Sequence, residues 1–394
     1  MNLLWDSYVF RRGAAVAELW DNLFAKRRSK LLYIVGRGFD VRALEVLRGF
    51  IDCCEAGKYA FDNANLLLVG FSRYEMSEEL IQLTEENAAK LKSMFEQLGA
   101  FREVTVGNVD GDGEELGPTA ALYAVNQQVL AHIEDQTDII LDVSSLPRVV
   151  YLSLVTAILG KLIPDRTAPD ALSATSVNFQ VLVAENADVD AAIRSEDPSD
   201  DLVLIPGFGS GFRSESMSDW PMVWFPLLGE NRESQFDKVV SLARIPLAAE
   251  VCPVLPHPSR NPRRADDLLV QYRQQLFDSR ETPTSNILYA HESNPFEAYR
   301  QLLRAMIRYR DSFSPLGGCR LAITPLSSKL MTLAAGMACF EMKPVNAKED
   351  YAVDIPYAEP KRYTAKLDGL RELSGFSTLS AVLLTGDAFA ASAR

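Results

Sequence analysis

Short apolar runs alternate along the chain with amphipathic segments of helical length, and the alternation begins at residue 31. LLYIV precedes the helical pattern VRALEVLRGFIDCC, and NLLLVGF precedes a longer helical pattern over residues 78–98. The runs REVTVGNV, DIILDV and SVNFQVLVAEN continue this rhythm to residue 186. Such a pattern predicts βα units on a parallel sheet.

The rhythm resumes after a polar stretch rich in glycine and serine. Further strands are predicted at VWFPLLGE, AEVCPVLPH, NILYAHE, RLAITP and YAVDIPYAEP, and AVLLTG belongs to a short tail. We therefore expect an α/β fold with two tandem Rossmann-like parallel-sheet halves. The expected division is an N-terminal helical segment (1–30), a first domain (31–196), a linker (197–220) and a second domain (221–394).

Two pairs of segments resemble each other across the halves. LLYIVGRGFDVRALEVLRGF parallels ILYAHESNPFEAYRQLLRAM, and DIILDVSSLPRVVYLSLVTAI parallels RLAITPLSSKLMTLAAGMA. The order of the pairs predicts an internal duplication, and the alternative is chance similarity between generic βα units.

Charge and cysteine content narrow the class of protein. A formal net charge of −13 disfavours nonspecific binding to nucleic acid or to an anionic membrane surface. The five cysteines have no metal-ligand or disulfide-framework spacing, so we predict neither a disulfide framework nor a metal site. No cofactor is predicted either. The charged N-terminus does not fit a signal peptide, and the longest apolar stretch, 149–163, is too short to span a membrane. We expect a cytoplasmic protein.

The loops that follow the predicted strands carry the candidate chemistry. In open parallel sheets, ligands bind beyond the carboxyl ends of the strands, where helix N-termini favour anions. Arginine offers a planar fork for phosphate, and serine hydroxyls can complete the shell. The alternative is that these serines are helix caps and the arginines form surface ion pairs. The candidate ligand-binding residues are Arg37, Ser144, Ser145, Arg148, Arg260, Arg263, Arg264, Ser327, Ser328 and Lys329.

Familiar catalytic and nucleotide-binding motifs do not occur in the chain. GRGFD lacks the third glycine of a dinucleotide fingerprint, and neither a P-loop nor a G-x-S-x-G motif is present. We interpret PGFGSGF as a flexible turn rather than a phosphate cradle, because no helical pattern obviously follows it. The weak candidates for acid–base chemistry are Asp40, Asp142, His291 and Glu292.

The segments DVSSLPR and TPLSSK occupy the place where CARF and SAVED sensor domains of bacterial defence systems carry a small-polar loop with a basic residue. In layout the chain resembles these proteins over about residues 31–360, although Ser144, Ser145 and Arg148 replace their glycine-rich loop. The resemblance implies a cyclic or linear oligonucleotide signal and an effector in another chain.

Three functional hypotheses remain open. The first is a sensor or accessory protein that binds a nucleotide or another phosphate-bearing small molecule and acts through a protein partner or a second copy. The second is an enzyme of the nucleotide-hydrolase or glycosidase type, in which the arginines hold phosphate and the acid–base group is Asp40, Asp142, Glu292 or Glu297. The third is a structural subunit of a complex, in which aromatic residues of the 212–225 stretch form an interface or belong to the core (Phe212, Trp220, Trp224 and Phe225).

Overall fold

The computed structural model describes residues 3–107, 116–346, 348–372 and 375–389. It separates into two compact units. Unit 1 comprises Met1–Leu116, Tyr123–Asp197 and Lys361–Arg394, and unit 2 comprises Gly117–Leu122 and Pro198–Pro360.

The strands and helices alternate as the apolar pattern predicts. The strands are β1 (Val9–Arg12), β2 (Arg28–Gly36), β3 (Ala60–Phe71), β4 (Ala100–Val106), β5 (Asp138–Asp142), β6 (Asn178–Glu185), β7 (Ile193–Leu204), β8 (Met222–Leu227), β9 (Glu250–Val251), β10 (Val254–Pro256), β11 (Leu288–Ala290), β12 (Cys319–Pro325), β13 (Tyr351–Asp354), β14 (Pro356–Ala365) and β15 (Thr378–Thr385). The α-helices are α1 (Ala15–Phe24), α2 (Arg42–Gly57), α3 (Glu78–Phe95), α4 (Pro118–Leu130), α5 (Arg148–Leu162), α6 (Ala187–Ala192), α7 (Ser210–Arg213), α8 (Glu233–Leu242), α9 (Arg264–Gln271), α10 (Pro295–Phe313), α11 (Lys329–Met342) and α12 (Leu367–Glu372). The four divisions between the units fall just before α4, inside α4, inside β7 and inside β14, and β7 and β14 pair as a two-stranded sheet.

Unit 1 is built on a seven-stranded mixed sheet in the order β1-β15-β6-β5-β2-β3-β4. The strands β6, β5, β2, β3 and β4 are parallel, and numbered along the chain they follow the doubly wound order 3-2-1-4-5. The central position of β5 follows from its sequence, because all of its side chains are buried. The predicted α/β, Rossmann-like fold is confirmed, although this sheet is mixed.

The C-terminal strand does not belong to the second half, where the sequence pattern placed residues 221–394. Instead β15 pairs antiparallel with both β6 and β1 in the sheet of unit 1. The N-terminal segment is also part of this unit, since Trp20 of α1 donates its indole N–H to Gln180 at 3.0 Å. An apolar strand whose partners lie far away in the chain gives no local signal that assigns it to either half.

Unit 2 contains a parallel sheet in the order β11-β10-β8-β12-β13, with β9 beside β8. Taking β9 and β10 as one interrupted strand gives the same 3-2-1-4-5 order as in unit 1. The central strand β8 carries Trp224 and Phe225, both fully buried. Of the four aromatic residues considered for an interface or for the core, these two therefore belong to the core of unit 2. The other two, Phe212 and Trp220, are half-buried.

The equivalence of the two sheets bears on the predicted duplication. By position in the sheet, β5 corresponds to β12, and the similar sequence segments of the two halves pair the same two strands. The counterpart of β2 is β8, however, whereas the sequence comparison pairs β2 with the edge strand β11. Because this strand order is shared by many doubly wound folds, internal duplication stays a prediction.

The expected linker is partly regular structure. Strand β7 extends through Leu204. The last three residues of the glycine-rich PGFGSGF begin the short helix α7, which the sequence did not indicate. Among the described residues, no helix combines the length and the apolar character needed to cross a membrane.

Candidate functional site

The loops after β2 and β5 meet at the point where the strand order of unit 1 reverses. Ser145 donates its hydroxyl to the carbonyl oxygen of Gly36 at 2.8 Å. A Cβ atom on Gly36 would lie 2.8 Å from that same hydroxyl oxygen. The glycine at this position therefore allows the two loops to pack together, and Ser145 occupies space at the point of reversal.

Asp142 and Ser144 shape the loop after β5. The fully buried Asp142 accepts the Ser144 backbone N–H at 2.9 Å and lies 3.3 Å from the Tyr33 hydroxyl, which donates to it. The hydroxyl oxygen of Ser144 accepts the N–H of Ala184 at 3.2 Å. Burial and the nearby Asp142 carboxylate raise the pKa of Tyr33. These contacts orient the loop before α5.

Asp40 takes part in a buried ion pair rather than facing an open site. Its carboxylate accepts hydrogen bonds from the Arg42 guanidinium, with the shortest at 2.6 Å, and Arg42 also donates to Asp190 of α6 at 2.8 Å. Burial opposes the charge of Arg42, but the two carboxylates raise its pKa. This arrangement fixes the start of α2 against α6.

The two arginines predicted in unit 1 lie on different elements. Arg37 follows β2, and its guanidinium contacts both oxygens of Glu85 at 2.6 and 2.7 Å. Arg148 is the first residue of α5, and the preceding Pro147 supplies no side-chain cap to that helix.

An aromatic cover lies over the strand ends of unit 1. Phe39 after β2 and Tyr74 after β3 both pack on Tyr363 of β14, with ring centroids 6.1 and 5.0 Å apart. The backbone of Glu75 also exchanges hydrogen bonds with Lys361 and Tyr363. Since these rings occupy the edge where a doubly wound fold binds its ligand, this edge of unit 1 is covered by its own chain.

In unit 2, Arg264 connects three strand-end loops. It is the first residue of α9, and it contacts Glu230 after β8 at 2.6 and 2.8 Å and also Glu292 after β11. Burial opposes the effect, but hydrogen bonding to Arg264 and its charge lower the pKa of Glu230. Burial likewise works against the charge of Arg264, and the two carboxylates raise its pKa. The fork of Arg264 is thus committed to protein carboxylates.

Two further arginines of this loop, Arg260 and Arg263, form hydrogen bonds through their backbone N–H groups. The Arg260 N–H donates to Glu292 at 2.8 Å, and the Arg263 N–H donates to the side chain of Asn261 at 3.0 Å. Both side chains are exposed. The network around Arg264 therefore fixes a loop that presents two cationic forks to solvent.

His291 and Glu292 do not form an acid–base pair with each other in the described contacts. His291 accepts the backbone N–H groups of Ser293 and Asn294 through Nδ1, each at 3.2 Å. Glu292 is bound to Arg264 and to the Arg260 N–H. The histidine thus orients the turn into α10, and the carboxylate holds the loop after β10.

The loop after β12 adjoins that after β8. A Cβ atom on Gly229 would overlap the carbonyl oxygen of Leu326, so the two loops are in direct backbone contact. Ser328 caps α11 by accepting the Met331 N–H at 3.3 Å, and the buried Ser327 hydroxyl lies 3.1 Å from the Met331 sulfur. Lys329 is the first residue of α11, at the same end of the sheet.

One buried acid was missed by reasoning from the sequence. Asp354 ends β13 and accepts the N–H of Gly211 at 3.0 Å through Oδ1, whereas Oδ2 has no hydrogen-bond partner among the described residues. Burial raises its pKa to about 7, although the Gly211 hydrogen bond and the charge of Arg320 act in the opposite direction. The available signal was a single acid in the apolar run YAVDI.

A polar cleft of about 190 Å³ lies in unit 1 near the amino ends of β3 and β4. Its lining includes Asn65, Arg102 and His132, and the Arg102 guanidinium lies 3.4 Å from His132 Nδ1. Burial and the charge of Arg102 lower the pKa of His132. The cleft is smaller than typical ligand sites, which span roughly 300–1,000 Å³, and it lies away from the carboxyl ends of the strands.

Comparisons with known proteins do not identify a family for this chain. No family model matches the chain, and no match is found among curated proteins. The chain is similar to the crystal structure of a protein of unknown function from Pseudomonas aeruginosa, at 11% identity over 89% of this chain and 97% of that chain, with a TM-score of 0.20. A likeness at that TM-score carries no argument, so the class of the protein is defined by its own strand order: an α/β protein with two Rossmann-like sheets.

Proposed function

We propose that the protein is an accessory or sensor protein that binds a phosphate-bearing small molecule, in particular a nucleotide, at the strand-end loops of unit 2. The observation that carries this proposal is the loop after β10, which the ion pairs of Arg264 hold while Arg260 and Arg263 are exposed. Two guanidinium groups on one ordered loop suit a phosphate group, because each offers a bidentate fork.

The position of this loop supports the proposal. It lies beyond the carboxyl end of a parallel strand, the region where open α/β sheets bind ligands. The neighbouring loops bring Glu230, Glu292 and the N-terminal end of α11 to the same edge. In a chain of net charge −13, exposed arginines at this place form a local cationic surface suited to an anion.

The state of the acidic groups favours binding without turnover. Glu230 and Glu292 are engaged by Arg264, and the lowered pKa of Glu230 makes it a poor proton donor near neutral pH. A protein that retains its ligand unchanged can act by passing a signal to a partner, and this is the mode of action that the resemblance to CARF and SAVED proteins would imply.

Native mass spectrometry of the protein purified from its host tests the proposal. We expect a bound phosphate-containing compound that is released on denaturation and is lost from an Arg260→Ala/Arg263→Ala double variant. The matched control is Arg273→Ala/Arg308→Ala, which removes the same charge from exposed positions of unit 2 outside the strand-end loops. This control should retain the ligand.

The outcomes separate the hypotheses. Equal loss in both double variants would point to a nonspecific charge effect and refute the proposed site. Conversion of the bound compound on incubation would refute binding without turnover. A protein with no bound phosphate compound, no affinity for added nucleotides and a stoichiometric protein partner would replace the proposal with the structural-subunit hypothesis.

A further inference from the structure

We infer that His257 and Tyr289 form a stacking platform for the base of a nucleotide whose phosphate binds Arg260 and Arg263. This inference rests on the proposed function and adds the part of the ligand that phosphate binding leaves undefined. It assigns the ligand class as a nucleotide with an aromatic base, rather than a sugar phosphate or inorganic phosphate.

The two rings come from adjacent strand ends of unit 2. His257 follows β10, and Tyr289 lies in the edge strand β11, where the His257 N–H donates to the carbonyl oxygen of Ala290 at 2.8 Å. The ring centroids are 5.7 Å apart at an interplanar angle of 72°. Backbone pairing of the two strand ends therefore holds the residues that carry these rings side by side.

Both rings are available to a ligand. Tyr289 retains 47% of its surface, and His257 is exposed. In an edge-to-face pair, the edge of one ring covers one face of the other, so the ring that contributes its edge keeps its faces clear of this contact for a flat heterocycle. A base that stacks on an aromatic side chain requires no particular hydrogen-bond pattern, because every base has a π-face.

The cationic forks belong to the same loop as His257. Arg260 and Arg263 lie three and six positions after His257 in the same loop, and Glu292 accepts the N–H of Arg260 while belonging to the loop after Tyr289. Both loops are tied to Arg264 through Glu292. An aromatic pair and a pair of guanidinium groups on these linked loops match the base and the phosphate of one nucleotide.

Isothermal titration calorimetry with adenosine monophosphate and ribose 5-phosphate tests this inference. The two probes share the sugar and the phosphate and differ in the base. We expect the wild-type protein to bind adenosine monophosphate about 5- to 150-fold more tightly, the range expected for stacking of one base. Tyr289→Ala should remove this advantage and leave the affinity for ribose 5-phosphate unchanged, whereas Tyr289→Phe should retain it.

The failures of the two proposals are distinguishable. If both probes bind equally, or if Tyr289→Ala keeps the advantage of the base, the platform is refuted while phosphate binding stands. If neither probe binds, nor inorganic phosphate, the platform and the proposed function are refuted together. Tyr289 is a half-exposed residue at a sheet edge, so thermal unfolding of the alanine variant should match the wild type and confirm that it is folded.

Discussion

Replacing Asp354 by asparagine should remove a pH dependence from the stability of unit 2. The carboxyl is buried and its pKa is about 7, against 3.8 for an ordinary aspartate. Between these two values the folded protein keeps the proton and the unfolded chain loses it. The folded state then binds more protons, so the free energy of unfolding decreases as the pH rises.

The magnitude follows from the width of that window. Each pH unit corresponds to about 1.36 kcal/mol, and the window spans roughly three units, so the full effect is about 4 kcal/mol. This loss of unfolding free energy is absent below pH 3.8 and complete above pH 7. Asparagine keeps the shape of the side chain and an oxygen that can accept the Gly211 N–H, but it has no charge to bury.

Urea unfolding of the wild type and of Asp354→Asn from pH 4 to pH 8 measures the effect. Taking the difference between the two proteins at each pH cancels the titration of other groups. We expect the two to be similar at pH 4 and the variant to be the more stable above pH 7. A difference that stays constant across this range would show that Asp354 titrates normally, and the reasoning from burial would fail.

Three further predictions concern a loop of unit 2 and an ion pair and the sheet of unit 1. Gly229→Ala should destabilise the protein by more than about 1 kcal/mol because its Cβ meets backbone, whereas Gly160→Ala, with open space around it, should not destabilise it; thermal unfolding compares them. Arg42→Ala should cost about 3–5 kcal/mol because it leaves Asp40 buried without its cation, against about 0–1 kcal/mol for the exposed Arg28→Ala, and equal urea midpoints would contradict this. Deleting residues from 376 onward should expose the edge of β6 and cause aggregation in light scattering, and a monomeric product would refute the role of β15.

The fold class could be predicted because its signals are local. Each of the strands β2, β5, β8 and β12 contains an uninterrupted run of apolar residues, which is what a strand buried on both faces requires. The place of β15 could not be predicted, since its partners are residues far away in the chain. The polar strand β7 also gave little signal, because most of its side chains are partly or fully exposed.

The sequence indicated where the candidate site lies, but not which residues form ion pairs with each other there. The sequence placed Arg264 at the end of a strand, yet Glu230 and Glu292, which bind its guanidinium, lie 34 and 28 residues away. In the same way, nothing local indicates that Glu85 binds Arg37, 48 residues earlier. Charged residues on predicted loops show which edge of the sheet carries the candidate site. Which of these side chains remain exposed depends on contacts between loops, and the sequence does not reveal those contacts.

The placement of β15 between β1 and β6 also affects how the protein folds as it emerges from the ribosome. Val9 of β1 pairs with Leu383, and β6 pairs with the other side of the same strand. The strands β8 to β13, which make up the sheet of unit 2, are all synthesised before residue 378. Unit 2 can therefore complete its sheet during translation, while β1 and the edge of β6 stay unpaired until β15 has been synthesised. During that interval the nascent chain presents an open strand edge, and this is when it most needs to be protected by chaperones against aggregation.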